Sequence, residues 1–329
     1  MKKLLLASLA LFLSVPVFAD FLEGEEAFEA KRYTEAIQHF RPLADAGDFR
    51  SQYYMGYMYL KGYGVVKNDQ LGLQYMQRSL DQNYHLAQAY MGFLYSEGQV
   101  VPADRKKAIS LYQKAADQGN TSAMLNLGVA YYKGEGVPRN LVKAIELLEK
   151  IPVEQKAEAG RYLADIYLDQ DSSNTAKAIA AYRAAAAAGD LISYNSLASM
   201  YLNGNGVDRD VERALKYYTY AASQGEPAAQ YALGLLYVNG ERISRNRLLG
   251  HAWLTWSANQ GYAPAVAAIS QLKSEMTLSE LDQARQEFMN IQQNILGKIP
   301  SPFEEEQRAA MERERARAQQ TSVRRRGRR

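Results

Sequence analysis

The chain has 329 residues, with 39 Lys and Arg against 36 Asp and Glu, and it contains no cysteine. That absence excludes a disulfide framework, a thiol nucleophile and a lipid attachment site, and a formal net charge of +3 does not by itself make a nucleic-acid-binding domain. The small total hides an asymmetry, because from Ser301 onward nine arginines stand against five glutamates, a local charge of +4, which leaves −3 on the body once Lys2 and Lys3 are removed.

The first element is "MKKLLLASLALFLSVPVFAD". Two lysines precede an apolar run from Leu4, and the small residues Val17 and Ala19 sit three and one positions before a cut. This is the pattern of a secretory signal peptide over residues 1–19, cleaved near Ala19 to leave a mature chain from Asp20. The apolar run is short for a membrane span. An exported, periplasmic protein is the expectation.

Residues 20–47 read as one helical hairpin with a short turn. From residue 48 a pattern returns at a nearly fixed interval, as in "YMGYMYLKGYGV" ending at Val65 and "NLGVAYYKGEGV" ending at Val137. A small residue falls at Gly56, Gly92, Gly128, Ala164, Ala198 and Gly234, in steps of 36, 36, 36, 34 and 36. A period of that size marks an array of supersecondary units. Tyr59, Tyr95, Tyr131, Tyr167, Tyr201 and Tyr237 follow three residues after the small position, and Met55, Met91, Leu127, Leu163, Leu197 and Leu233 precede it. The spacing predicts a helix with one buried stripe, in which the small residue lets a neighbouring helix approach.

A second helix follows each loop, as in "KKAISLYQKAADQG" over 106–119. Small residues at Ala36, Gly72, Ala108, Ala144, Ala178, Ala214 and Gly250 lead a bulky residue four later on the same face. Gly47, Gly119, Gly189, Gly225 and Gly261, with Asn83 where glycine is missing, suit left-handed helix ends. Each unit is therefore helix, loop, helix, and neither helix buries its stripe without stacking on its neighbours. The glycine pairs, such as Gly134 and Gly136, follow a helix rather than a strand and lack a third glycine, so they are turn positions and not a phosphate cradle.

After Gly261 the period is lost. Residues 263–300 read as a short helix and a longer amphipathic one, capped by Thr277 or Ser279, which covers the last unit. "GKIPSP" breaks the chain, residues 303–320 form a charged helix, and the last nine residues, five of them arginine, are expected to be disordered.

The pattern Ala-x-x-x-Leu-Gly-x-x-Tyr-x-x-Gly-x-Gly-Val, then Ala-x-x-x-Tyr-x-x-Ala-Ala-x-x-Gly, clearest at Ala123–Val137, Ala108–Gly119 and Ala214–Gly225, resembles the Sel1-like repeat family, a longer-looped relative of the tetratricopeptide repeat. The resemblance covers six copies over residues 48–262, and residues 20–47 resemble an ordinary tetratricopeptide unit. The fourth copy departs from the family, since "YLADIYLDQDSSNTAKAI" lacks the glycine pair and Pro152 interrupts the boundary before it. What the resemblance implies is an all-α, right-handed superhelix of about seven hairpins with a C-terminal cap. It implies a scaffold for protein contacts and no chemistry.

In related solenoids the first helix of each unit lines the concave face. Transferring that register places the positions three before and one after the small residue on that face, and the candidate partner-binding residues are Tyr53, Tyr57, Phe93, Val129, Arg161, Asp165 and Tyr231. An extended or helical peptide of another envelope protein is the expected ligand. Arg324, Arg325, Arg326, Arg328 and Arg329 form a candidate electrostatic contact for anionic lipid or cell-wall polymer; an exported location argues against nucleic acid. No cofactor or metal is called for. His39, His85 and His251 lie in different units and read as helix-surface histidines, while Asp165 and Asp169, on one helix face, have nothing else converging on them. No nucleophile and base can be paired, so an enzyme is not expected.

Overall fold

Asp48, Asn68, Asp104, Asn120, Asn140, Asp190, Asp210 and Asn246 each stand directly before a helix and accept a hydrogen bond from the backbone N–H three residues on. Those caps satisfy donors that a helix start otherwise leaves open, and they set the frame of a chain whose regular elements, among the described residues, are all helical. The computed structural model describes residues 20–152, 155–171 and 174–326. The expected signal peptide over 1–19, and Arg328 and Arg329, lie outside them.

The chain divides into two compact units between Ile151 and Pro152. The first holds α1 (20–29), α2 (Tyr33–Asp45), α3 (Phe49–Lys61), α4 (Asp69–Asp81), α5 (His85–Glu97), α6 (Arg105–Asp117), α7 (Thr121–Lys133) and α8 (Leu141–Glu149). The second holds α9 (Ala157–Gln170), α10 (Thr175–Ala187), α11 (Leu191–Asn203), α12 (Val211–Ser223), α13 (Pro227–Asn239), α14 (Arg247–Asn259), α15 (Ala263–Ser274), α16 (Leu278–Asn294) and α17 (Pro302–Arg326). From α2 to α8, and again from α9 to α15, each helix packs on the next, so hairpins stack in chain order within each unit.

The small residues act where the helices of a hairpin cross. A Cβ on Gly56 would lie 2.9 Å from the backbone nitrogen of Met76 and 3.0 Å from the carbonyl oxygen of Gly72. Such close backbones let the bulky residue four positions past each crossing reach beneath its partner: Phe40, Met76, Tyr112, Leu148, Tyr182, Tyr218 and Leu254 are all buried. The loops are held by a repeated contact. The backbone N–H groups of Asn68, Asp104, Asn140, Asp210 and Asn246 donate to the carbonyls of Tyr59, Tyr95, Tyr131, Tyr201 and Tyr237 at 2.8–2.9 Å. Several rings of the same tyrosines meet a cation from the following helix, with Lys107 Nζ 4.1 Å from the Tyr95 ring centre and Arg213 Cζ 4.9 Å from that of Tyr201. Gly134 and Gly136 have φ of 75° and 78°, which confirms them as turn residues.

Helix α16 turns back onto α14, opened by a capping box in which Thr277 and Glu280 bond reciprocally. Residues 295–301 interrupt the helix as "GKIPSP" leads one to expect. Helix α17 runs on through residues 321–326, the first six of the last nine residues. No glycine or proline intervenes between Pro302 and Gly327, and a helix already nucleated adds Thr321–Arg326 at one hydrogen bond per residue.

The crossing geometry predicts a contrast between two glycine substitutions. Gly56→Ala drives a methyl into backbone atoms and should destabilise by about 1–3 kcal/mol. On Gly128 the nearest atoms belong to the Leu148 side chain, and the nearest backbone atom among its closest neighbours is 3.5 Å away. Gly128→Ala should therefore cost less than about 1 kcal/mol, its better helix propensity offsetting the adjustment. Urea unfolding of the two variants checks the order.

Candidate functional site

The face of the first unit lined by α3, α5 and α7 carries an aromatic groove. Helical spacing on the first helices of three consecutive hairpins leaves one flank of each outside the buried stripe, and on α3 and α5 those flanks carry rings. A cavity of about 360 Å³ is lined by Tyr53, Tyr57 and Lys61 of α3, by Tyr90 and Phe93 of α5, and by Asn126 of α7, among others. Tyr57 stands at the centre of the ring cluster, 6.3 Å from Tyr53, 5.1 Å from Tyr90, 6.0 Å from Tyr63 and 6.1 Å from Phe28 of α1. Tyr90 continues it to Phe93 at 6.1 Å. The rings are half-buried, so their edges fix one another while part of each faces the groove.

The phenols of this surface are uncharged. Burial, and then the neighbouring Tyr57, hold the Tyr53 phenol well above its ordinary range; burial and then Tyr57 push Tyr90 up to about 12. Lys61, whose Nζ lies 5.9 Å from the Tyr57 ring centre, is the one charged side chain lining the cavity. Ser122 and Asn126 add hydroxyl and amide groups at the start of α7.

Tyr53, Tyr57 and Phe93 thus line one cavity. Val129 does not join them; it lines a separate cavity of about 180 Å³ with Asn126, Ile109 and Tyr112. Arg161, Asp165 and Tyr231 belong to the second unit. There Arg161 is held by Glu158 at 3.3 Å, Asp190 at 3.5 Å and Asp165 at 4.0 Å, and Asp165 also accepts the Tyr182 hydroxyl at 2.5 Å. Asp165 therefore does have groups converging on it, contrary to expectation, and burial raises its pKa more than Tyr182 and Arg161 lower it. Tyr231 packs on Tyr262 at 5.6 Å. Arg324, Arg325 and Arg326 lie on the last turn of α17. Sequence reasoning missed Tyr90 and Asn126, both two positions before the small residue. A helix flank facing a groove spans about 100°, wide enough to admit that position as well as the two the register chose.

Asp20, Glu23 and His39 form the one group among the described residues whose carboxylate and imidazole atoms lie within 4.8 Å of one another. Glu23 is 63% exposed, so a cation there would compete with solvent for its ligands. His85 lies 3.1 Å from the Asn120 amide through Nδ1. Trp253 is core, as its position in the repeat implies, and Trp256 stacks on Phe288 at 4.6 Å.

A family profile described as Sel1 repeat matches residues 50–84, 85–120, 121–151, 192–226 and 227–262. It passes over α9 (Ala157–Gln170) and α10 (Thr175–Ala187), which nonetheless pack against each other. Among solved structures, a Sel1 repeat protein from Oxalobacter formigenes is 26% identical, with 72% of this chain and 96% of that one covered and a TM-score of 0.67. The protein c5321, a protective antigen of uropathogenic Escherichia coli with an SLR fold, is 25% identical over 85% of this chain and 69% of its own, with a TM-score of 0.48.

The last matched segment contains a departure from the repeat. His251 stands where the other copies have Leu73, Ile109, Ile145, Ile179 and Leu215, and it is 6% exposed rather than on the surface, with Nε2 buried and without a hydrogen-bond partner. Burial, then Lys273, pushes its pKa down to about 4 from 6.5. Between those values the unfolded chain binds a proton that the folded chain does not, so stability falls as pH falls, by up to about 1.4 kcal/mol per pH unit. His251→Leu should remove that loss: the stability difference between variant and parent stays constant above pH 7 and grows from pH 6.5 to 4, as measured by urea midpoints.

Proposed function

The chain belongs to the Sel1 repeat family, whose repeats serve protein–protein interaction, and from that premise we propose that it is a non-enzymatic scaffold whose first-unit groove holds a peptide segment of another envelope protein. The observation that carries this reading is the cluster of half-buried rings around Tyr57. Aromatic side chains with few rotatable bonds give large contact area at small entropic cost, and they are the anchors on which interface energy concentrates. An extended segment with apolar side chains on one face suits a floor of neutral phenols, and Asn126 and Ser122 offer hydrogen-bonding groups to its backbone. The proposed setting is the periplasm. The leader-like residues 1–19 support export, and among the described residues no helix is long and apolar enough to cross a membrane.

A second reading is supported by α17. Between Gln307 and Arg315 every residue but Ala309 is exposed, so a charged helix stands clear of the body and ends in the arginines of the tail. That arrangement suits attachment to anionic lipid or cell-wall polymer.

The groove reading predicts that Tyr57→Ala combined with Tyr90→Ala leaves the helical circular dichroism unchanged and weakens capture of the crosslinked envelope partner by about thirtyfold or more. Unchanged capture by a folded variant defeats it. The second reading predicts that deleting residues 321–329 abolishes sedimentation with vesicles of anionic phospholipid, and that sedimentation of the full chain falls steeply between low and physiological salt.

A further inference from the structure

The C-terminal segment does more than cover an end of the array. After α16, Gly297 donates its N–H to the Ser223 carbonyl at 2.8 Å and adopts φ of 67°, and the chain turns back across α10, α11 and α12. Ser301 Oγ meets the Tyr194 hydroxyl at 2.7 Å. Phe303, 8% exposed, inserts between Tyr194 at 5.4 Å and Tyr217 at 5.5 Å, with the Arg183 guanidinium 5.2 Å from its ring centre. Glu306, one turn on, accepts from Arg183 Nη2 at 3.1 Å and approaches the Tyr217 hydroxyl at 3.4 Å. Alongside it Pro302, Glu305 and Ala309 border a cleft of about 410 Å³ against α12, and from Gln307 to Arg315 every residue but Ala309 is exposed.

The repeat register shows how unusual this site is. Arg183, Tyr201 and Tyr217 correspond to Arg41, Tyr59 and Tyr75 of the first unit, each displaced by 142 residues. In both units the arginine donates to the first tyrosine, at 3.2 Å from Arg41 to Tyr59 and 3.3 Å from Arg183 to Tyr201. In the first unit the second tyrosine, Tyr75, donates to Asp45 of the adjoining α2 at 2.9 Å. The corresponding residue of the second unit is Ala187, so that unit has no carboxylate of its own there. Tyr194 is a second difference: its position holds Gln52, Gln88, Met124, Gly160 and Gln230 in the other copies, and the three glutamines accept from a glutamine at the end of the next helix, Gln82, Gln118 and Gln260 respectively, at 2.8–2.9 Å. The two exchanges open a ring-lined seat and remove its anion at one place, and Phe303 and Glu306 fill both.

We infer that the surface of Arg183, Tyr194 and Tyr217 is a docking site for a segment that opens a helix with an aromatic residue and carries a carboxylate three residues later, and that residues 301–306 occupy it in cis. The occupant from outside is a partner protein presenting that pair. Its side chains match the seat in charge and shape because the chain's own segment already shows what fits. The tether through Gly297 and Pro300 gives the cis segment a high effective concentration, so an outside segment gains access only by competing with it.

The test uses the full mature chain and a fluorescent synthetic peptide of residues 300–315 as probe. Phe303→Ala combined with Glu306→Gln should raise peptide affinity, read by anisotropy, about tenfold or more over the parent, and adding Arg183→Ala should abolish the binding. Excess unlabelled peptide added to the parent should speed amide hydrogen exchange in residues 302–315 about tenfold without affecting α11 and α12, which keeps the question open to an answer if the double variant does not fold. Equal binding by parent and variant, or no acceleration of exchange at saturating peptide, overturns the inference. A concentration-dependent dimer of the parent that exchanges its C-terminal segments also overturns it, because the outside occupant is then a second copy of this chain.

Discussion

The close crossing of two helices at paired small residues is the constraint from which the rest of this structure follows. Most of the helices here have 13 residues, a length that is marginal for an isolated helix in water. Their stability therefore comes from the face each one buries. When Gly56 meets Gly72, or Gly234 meets Gly250, the axes come close enough for Met76 or Leu254 to fill the space beyond the crossing. The loop is tied to the same frame by the hydrogen bond to the tyrosine carbonyl three residues past the small position, which fixes how far the second helix starts from the end of the first. Steps of 36 residues accompany both conditions, and the 34-residue step belongs to the one hairpin whose loop carries no glycine at all.

Because packing claims one stripe of each first helix, the adjoining flank is left to vary without disturbing the core. The two units use that freedom differently. In the first the flank is aromatic, with Lys61 as its one charge and rings that meet both edge to face and stacked. In the second, Arg161 is ion-paired with Asp165 and Asp190, and its buried Nε, 3.5 Å from Asp190, makes no hydrogen bond, so a half-buried ion group of this kind contributes more to local geometry than to net stability. The proposed recognition by apolar contact therefore draws on the first unit's groove, because fold alone does not select between the two faces.

The array, its hairpins and its turn glycines were legible in the sequence because they rest on local spacing repeated several times: Tyr59 to Tyr237, the glycine pairs, and the left-handed Asn83 all fall where periodicity put them. The groove was partly legible. Tyr53, Tyr57 and Phe93 came from the register, whereas Tyr90 was passed over because a two-position rule is narrower than the flank of a helix. His251 was misjudged for a different reason, since a histidine's burial depends on what packs over its helix, and here it takes the place of an aliphatic residue in every other copy. The convergence on Asp165 drew on Tyr182 of the following helix, and no spacing within α9 announces it. Least legible of all was the seat of the C-terminal segment, whose contact from Arg183 to Glu306 joins residues 123 apart in sequence.

That last contact also explains why so little of α17 needs to touch the body. A segment tethered a few residues from its site is held at an effective concentration in the millimolar range, so one buried ring, one ion pair and one hydroxyl pair are enough to keep it seated. The same contacts offered by a free segment carry the full entropic cost of association, which is why a small cis anchor can exclude weak competitors while yielding to a partner that adds contacts along the open cleft beside α12. Residues 307–315, all but Ala309 exposed, are then free in composition, and their charge pattern suits solvent instead of the core.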